Sequence, residues 1–176
     1  MGLLPPDDEN PLHGARPGRA GRFLESRVEA GFGEFGVRTV HDNREYHGKD
    51  IFERTEKFLV RQPLIRGVKL DFLYIDFRRK LRLPIECKQQ TVAGSTDRKL
   101  DYAVNDLISV SHGMSYGYFW LIVSGDGFSP KVMQKVQNKI TTNNDTRNGK
   151  KAYGRLVSDP LLFRAIQKLV EKGEAL

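Results

Sequence analysis

The chain has one cysteine, Cys87, among 176 residues. A single thiol forms no disulfide within the chain, so a packed core must hold the fold, and a reducing compartment suits it. Long apolar runs are missing as well. The longest, Tyr118 to Val123, falls far short of the roughly 20 residues that cross a bilayer. It reads instead as a buried strand, and no membrane partner is expected. Met1 to Leu4 carries no basic residue, and Pro5 and Pro6 interrupt the stretch before an apolar segment develops. No secretory signal is expected, and the cytoplasm is the expected location. There are no internal repeats and no low-complexity tracts, which excludes a solenoid or fibrous class.

What is present describes a folded, basic domain. Ten Phe and six Tyr within 39% hydrophobic residues supply a core, and the length suits one domain. Lys and Arg number 29 against 22 Asp and Glu, a net charge of +7. That surplus points to a polyanionic partner, most often nucleic acid.

Residues 1–17 mix Pro, Asp, Gly and Arg without periodicity and read as a flexible arm; residues 18–176 read as a single domain. Phe23, Leu24, Val28 and Phe32 recur at helical spacing, which predicts a helix from Arg19 to the Gly31-Phe32-Gly33 region. Phe58 to Val60 reads as a short strand closed by Pro63. Val68 to Phe77 and Leu81 to Lys88 form two β-type runs around Arg78-Arg79-Lys80, the pattern of a hairpin. Thr96 is placed to cap a helix running through Ser111, with Leu100, Ala103, Val104, Leu107 and Ile108 inward. A strand at Gly117 to Ser124 follows, then a helix opened by Ser129-Pro130 with a Val132, Val136, Ile140 stripe. Thr141 to Lys151 reads as an exposed loop, and Asp159-Pro160 opens a last helix with Leu162, Ile166, Leu169 and Val170 inward. The expected class is α/β, a central mixed sheet flanked by helices.

The hairpin carries charges where a core would not place them. Glu86 and Lys88 share one face of their strand, opposite Ile85 and Cys87. A turn centred on Arg79-Lys80 sets Asp71 across from Lys88, one diagonal step from Glu86. On an exposed hairpin such charges form a cross-strand ion pair worth under about 1 kcal/mol. On this apolar one, two carboxylates and the backbone carbonyl of Cys87 offer hard oxygen donors suited to Mg²⁺. The lysine can orient a water and stabilise developing negative charge.

Lys69-Leu70-Asp71-Phe72-Leu73-Tyr74 followed by Pro84-Ile85-Glu86-Cys87-Lys88-Gln89-Gln90 resembles the paired active-site strands of the PD-(D/E)XK nuclease superfamily. Asp71 matches the metal-binding aspartate, with Leu in place of the Pro before it, and Glu86 and Lys88 match the (D/E)xK pair. Gln90 matches a glutamine that many members carry beside the site. Gly21-Arg22-Phe23-Leu24-Glu25 resembles the first helix, with Glu25 in place of its glutamate and Glu29, one turn along, as the competitor. The resemblance runs from about Gly18 to Ser124. It implies a restriction-endonuclease-like fold and a Mg²⁺-dependent nuclease, with Mn²⁺ able to substitute. Asp71 and Glu86 would bind metal, Lys88 would activate or orient water, and Glu25 and Gln90 would support the site.

Lys131, Lys135, Lys139, Arg147, Lys150, Lys151 and Arg155 face a single acid, Asp145, in the segment from Lys131 to Arg155. That basic portion, about residues 129–155, suits DNA-backbone binding, with Asn143, Asn144 or Asn148 reaching bases. Arg78, Arg79, Lys80 and Arg82 form a second basic group. The histidines are scattered and Cys87 has no paired histidine signature, so neither a histidine-metal centre nor a thiol nucleophile is expected. The first expectation is a restriction-type DNA endonuclease, a homodimer because a two-strand cut needs two sites. The alternatives are a structure-specific nuclease such as a Holliday junction resolvase, and a non-catalytic nucleic-acid-binding module.

Overall fold

The computed structural model describes residues 18–41, 57–91, 97–112, 117–144 and 152–176. The expected N-terminal arm, the Thr96 cap, Arg147, Lys150 and Lys151 lie outside them. In chain order the elements are α1 (Gly18–Glu34), β1 (Arg38–Val40), β2 (Lys57–Arg61), β3 (Leu64–Ile65), β4 (Val68–Lys69), β5 (Phe72–Asp76) and β6 (Leu81–Gln89). Then follow α2 (Asp97–His112), β7 (Tyr118–Ser124), α3 (Pro130–Asn144), β8 (Tyr153–Ser158), a 3₁₀ turn (Asp159–Leu161) and α4 (Leu162–Lys172). None of the described helices is long and apolar enough to cross a membrane.

Six strands make a mixed sheet in the order β1-β2-β5-β6-β7-β8, and β3 pairs with β4 separately. The strands β2, β5 and β6 run antiparallel, whereas β6, β7 and β8 run parallel. Strand β6 is therefore the seam, with a hairpin on one side and βαβ crossovers through α2 and α3 on the other. One face of the sheet packs Tyr74, Ile85, Trp120 and Ile122 against Leu24, Val28 and Phe32 of α1 and Ile166 and Leu169 of α4. The other packs Phe119, Leu121 and Val123 against Leu100, Val104 and Leu107 of α2 and Val136 and Ile140 of α3. These are the stripes expected of the helices, except that Phe23 is exposed.

Three expectations are corrected. The run from Val68 to Phe77 is not one strand; it breaks at Leu70-Asp71 between β4 and β5. The hairpin turn closes earlier than expected, with β5 ending at Asp76 paired to Leu81. Buried Asp76 causes this: its Oδ1 accepts from the Arg79 N–H at 3.1 Å and its Oδ2 from Arg79 Nη1 at 2.8 Å. Lys80 then takes a left-handed φ of 53°. The third correction is that Thr141 to Asn144 continues α3 rather than starting a loop. There Thr141 Oγ1 donates back to Gln137 O, and the Asn143 amide donates to Ala152 O.

Arg79 belongs to the scaffold. Besides Asp76, it donates to the carbonyls of Val170 (3.2 Å) and Glu171 (2.7 Å), and Lys57 Nζ also reaches Val170 O (2.7 Å). Two cations thus satisfy the free carbonyls at the C-terminus of α4, where the helix dipole favours positive charge. Arg79→Ala leaves Asp76 buried without its cation. An expected loss of about 3 kcal/mol should lower the urea midpoint with the slope unchanged; a loss below about 1 kcal/mol would mean the pair behaves as a surface one.

Candidate active site

Asp71 stands just before β5, next to the Phe72–Ile85 pair at which the ladder with β6 begins. At the end of β2, Gln62 adopts φ 51°, donates its N–H to Asp71 O at 2.8 Å, and the next link runs from Leu70 N to Pro63 O at 3.1 Å. The Asp71 backbone is thereby held toward β2, and the amide of Cys87 on β6 loses the acceptor that a continuing β5 would supply. The Asp71 side chain takes that place, with Cys87 N–H donating to Oδ2 at 2.7 Å. In return, Asp71 N–H donates to Glu86 Oε2 at 3.2 Å. Lys88 Nζ pairs with the other oxygen of Glu86, Oε1.

This geometry corrects the expected register. Phe72 pairs with Ile85, so the ladder carried one step further sets Asp71 against Glu86 rather than Lys88. The early turn at Asp76 shifts the register by two, which leaves every side chain on its expected face. The carbonyl of Cys87 points to the same edge as its N–H, as in any extended residue, and so toward Asp71.

The electrostatics follow from burial. Glu86 is held above the usual carboxylate range, first by burial and then by Asp71, with Lys88 opposing. Burial pulls the Lys88 ammonium down, but the charge and hydrogen bond of Glu86, helped by Asp71, outweigh it and hold Lys88 above an ordinary lysine. Cys87 is pushed well up by burial and by the surrounding carboxylates. It is a protonated core thiol, not a nucleophile.

Helix α1 brings two further carboxylates. Arg61, paired with Phe72 in the sheet, donates Nη2 to Glu25 Oε2 and Nη1 to Glu29 Oε1, both at 3.1 Å. Glu25 is raised by burial and next by the charge of Asp71, against the lowering effect of Arg61. The structure thus joins both glutamates through Arg61, a residue outside the motif. A basic residue closing an apolar strand was the available signal, but its partners lie over 30 residues away.

Other candidate residues fall elsewhere. Gln90 is buried at the end of β6, where its Nε2 donates to Gly127 O at 2.9 Å and its carbonyl accepts from Gly127 N–H. That amide braces the turn after β7. Gly125 in the same turn has φ 90°, and a side chain there would collide with the Gln90 carbonyl. Lys131 is exposed, whereas Lys135 (3.7 Å) and Lys139 (3.1 Å) both approach Asp101 of α2. The side chain of Asn144 lies outside the described residues.

The sequence profile of the PD-(D/E)XK nuclease superfamily domain matches residues 16–157. The chain belongs to the PD-(D/E)XK nuclease superfamily. Among solved structures, the chain is similar to the MunI restriction endonuclease in complex with cognate DNA. That similarity has 16% identity and a TM-score of 0.43, covering 84% of this chain and 94% of the other. No curated protein matches.

Members of this superfamily generally use divalent metal ions, and the donor chemistry fits one. Asp71 and Glu86 are hard oxygen donors, and the Cys87 carbonyl faces the same edge. Around them, the carboxylates Asp71, Glu86 and Glu25 outnumber the cations Lys88 and Arg61 by one. Among the described residues no group of three or more His, Cys, Asp or Glu gathers as a ligand set, so water and backbone would complete the coordination.

The raised Glu86 gives a testable linkage. Its folded pKa lies above 4.5, so its burial as an anion weighs against folding once the pH rises above 4.5 and through the raised value. Lys88 offsets that charge. In metal-free buffer, Lys88→Met should cost about 2 kcal/mol at pH 8 and clearly less at pH 5, as read from urea midpoints. An equal cost at both pH values would mean that Lys88 does not compensate Glu86.

Proposed function

We propose that this chain is a metal-dependent endonuclease that hydrolyses phosphodiester bonds in duplex DNA, with Mg²⁺ as its ion and Mn²⁺ able to substitute. The observation that carries the proposal is the convergence of Asp71, Glu86 and Lys88 through the Cys87 and Asp71 amides at one end of β6. Membership of the superfamily supports it. A module that only binds nucleic acid has no use for two mutually repelling, partly buried carboxylates.

Asp71 and Glu86 would hold the ion, with the Cys87 carbonyl beside them. When bound, Mg²⁺ supplies Lewis-acid polarisation of the phosphoryl group and acidifies water. With its ammonium paired to Glu86, Lys88 serves as a hydrogen-bond donor. Its Nζ orients the attacking water and stabilises charge on the phosphoryl oxygens. Glu86 Oε1 fixes that ammonium, coupling the metal ligand to the water-orienting group. The amide of Cys87 does the same for Asp71, which is held by the strand itself and not by a mobile loop.

The basic side chains of α3 fit the substrate's backbone. Lys131 and Lys135 offer exposed charge, while Lys139 is partly committed to Asp101. Asn144, Arg147, Lys150 and Lys151 continue the same stretch. A homodimer would supply the second site that a double-strand cut requires.

The deciding experiment incubates the protein with linear, supercoiled and four-way-junction DNA in Mg²⁺ or in EDTA. Discrete fragments from linear duplex, abolished by EDTA, are expected. Symmetric nicking confined to junctions would replace the restriction-type reading with a resolvase. Binding without cleavage of any substrate would remove both. Lys88→Ala should slow cleavage by about 100-fold or more; unchanged cleavage would show that these residues are not the site.

A further inference from the structure

Between β2 and β5 the chain leaves the main sheet as a separate hairpin, β3–β4, which ends two residues before Asp71. Its base continues the β2–β5 pairing, with Gln62 N–H donating to Asp71 O and Leu70 N–H to Pro63 O. Leu64 then pairs with Lys69 and Ile65 with Val68, which leaves Arg66 and Gly67 as a two-residue turn. Ile65 and Val68 pack into the cluster that holds Leu70, Leu121 and Val123. Leu121 and Val123 lie beside Glu86 and Lys88 in the parallel ladder, and laterally paired residues share a face. The hairpin is therefore seated on the side of the sheet that Glu86 and Lys88 face.

The outer surface of the hairpin is basic and apolar. Leu64 (64% exposed), Arg66 and Lys69 face solvent, and no acidic residue occurs from Gln62 to Leu70. Among the described residues, no acid pairs with Arg66 or Lys69. Arg66 has φ 52° and Gly67 φ 80°, the paired positive angles of a type I′ turn, in which Asn-Gly is the favoured sequence. An arginine there carries backbone strain that an asparagine would relieve. Strain held at an exposed tip serves no packing, and such positions gather at ligand contacts.

We propose that the β3–β4 hairpin enters the major groove of duplex DNA beside the cut, with Arg66 on a guanine edge and Lys69 on a backbone phosphate. The inference rests on the endonuclease reading above. Two strands about 4.8 Å apart with their side chains fill a major groove about 12 Å wide and not a minor groove about 6 Å wide. The guanidinium fork matches the O6 and N7 acceptors of guanine. Lys69, two residues from Asp71, falls on the phosphates next to the scissile one. Arg66 lies five residues before Asp71, at most about 17 Å of extended chain. At about 3.4 Å per base pair, it reads within roughly five pairs of the cut. Arg66 is thus a specificity residue and touches none of the reacting atoms.

The test uses Arg66→Asn, which suits the turn better than arginine and so separates fold from contact. Its melting temperature should equal or exceed that of the unmodified protein. Its binding to a random-sequence duplex pool in EDTA should weaken by about threefold or more. Sequencing the ends that the unmodified protein cuts from the same pool in Mg²⁺ should show a guanine preference within about five base pairs of the cut, and Arg66→Asn should lose it. Lys69→Gln should keep that preference and lower the salt dependence of binding by about one in slope. Arg66→Gly, also suited to the turn, serves as the second variant. Unchanged binding and preference in both Arg66 variants would overturn the inference and leave the endonuclease reading intact. So would weaker binding with the preference kept, which puts Arg66 on phosphate alone. If the unmodified protein binds duplex without cutting it, the endonuclease reading falls, and the sequences retained on the protein decide the hairpin in place of cut ends. No binding to duplex DNA would remove both.

Discussion

The amide of Cys87 needs an acceptor that the neighbouring strand does not supply. β5 begins only at Phe72, and a buried N–H without a partner costs about as much as a lost hydrogen bond. The carboxylate of Asp71 answers that need at 2.7 Å, and the Asp71 amide in turn holds Glu86. Backbone satisfaction, usually settled within a ladder, here draws two acidic side chains together. The rest of the site follows from that exchange: Lys88 answers Glu86, and Arg61 answers the glutamates that α1 brings to the same edge.

The two ends of the β5–β6 hairpin treat buried acid differently. At the turn, Asp76 is fully buried but meets a complete set of donors from Arg79. The result is a closed structural unit that also caps α4. At the other end the carboxylates outnumber the cations, and Glu86 and Glu25 are both raised by burial and by Asp71. The sheet thus balances its buried charge at one end and leaves it unbalanced at the other.

Much of this was legible in the sequence because it is local. The hairpin, the shared face of Glu86 and Lys88, and the inner stripes of α2 and α4 all follow from periods of two and 3.6. Features set by distant partners were not legible. β8 was passed over because Gly154 and Arg155 weaken its pattern. Gly154 is required by the Phe119 ring that lies against it, and Arg155 stacks at 6.0 Å from the Trp120 ring centroid. The register was off by two because Asp76 looked like a strand residue rather than the acceptor that closes the turn. Arg61 looked like the end of an apolar run, since its meaning lies in Glu25 and Glu29 across the fold. Gln90 keeps the parity expected of it, and its amide also braces the turn after β7.

The seam strand also has an optical consequence. Trp120, the chain's single tryptophan, pairs with Ile85 immediately before Glu86. It is fully buried, and its indole donates to the carbonyl of Ala175 at 2.6 Å, beyond the end of α4. Its emission therefore arises from one known position, between the strand that carries the acidic pair and the last residues of the chain. Any event that loosens the tail, or shifts β7 against β6, changes the surroundings of that one fluorophore. The protein carries its own reporter of strain at the centre of the sheet.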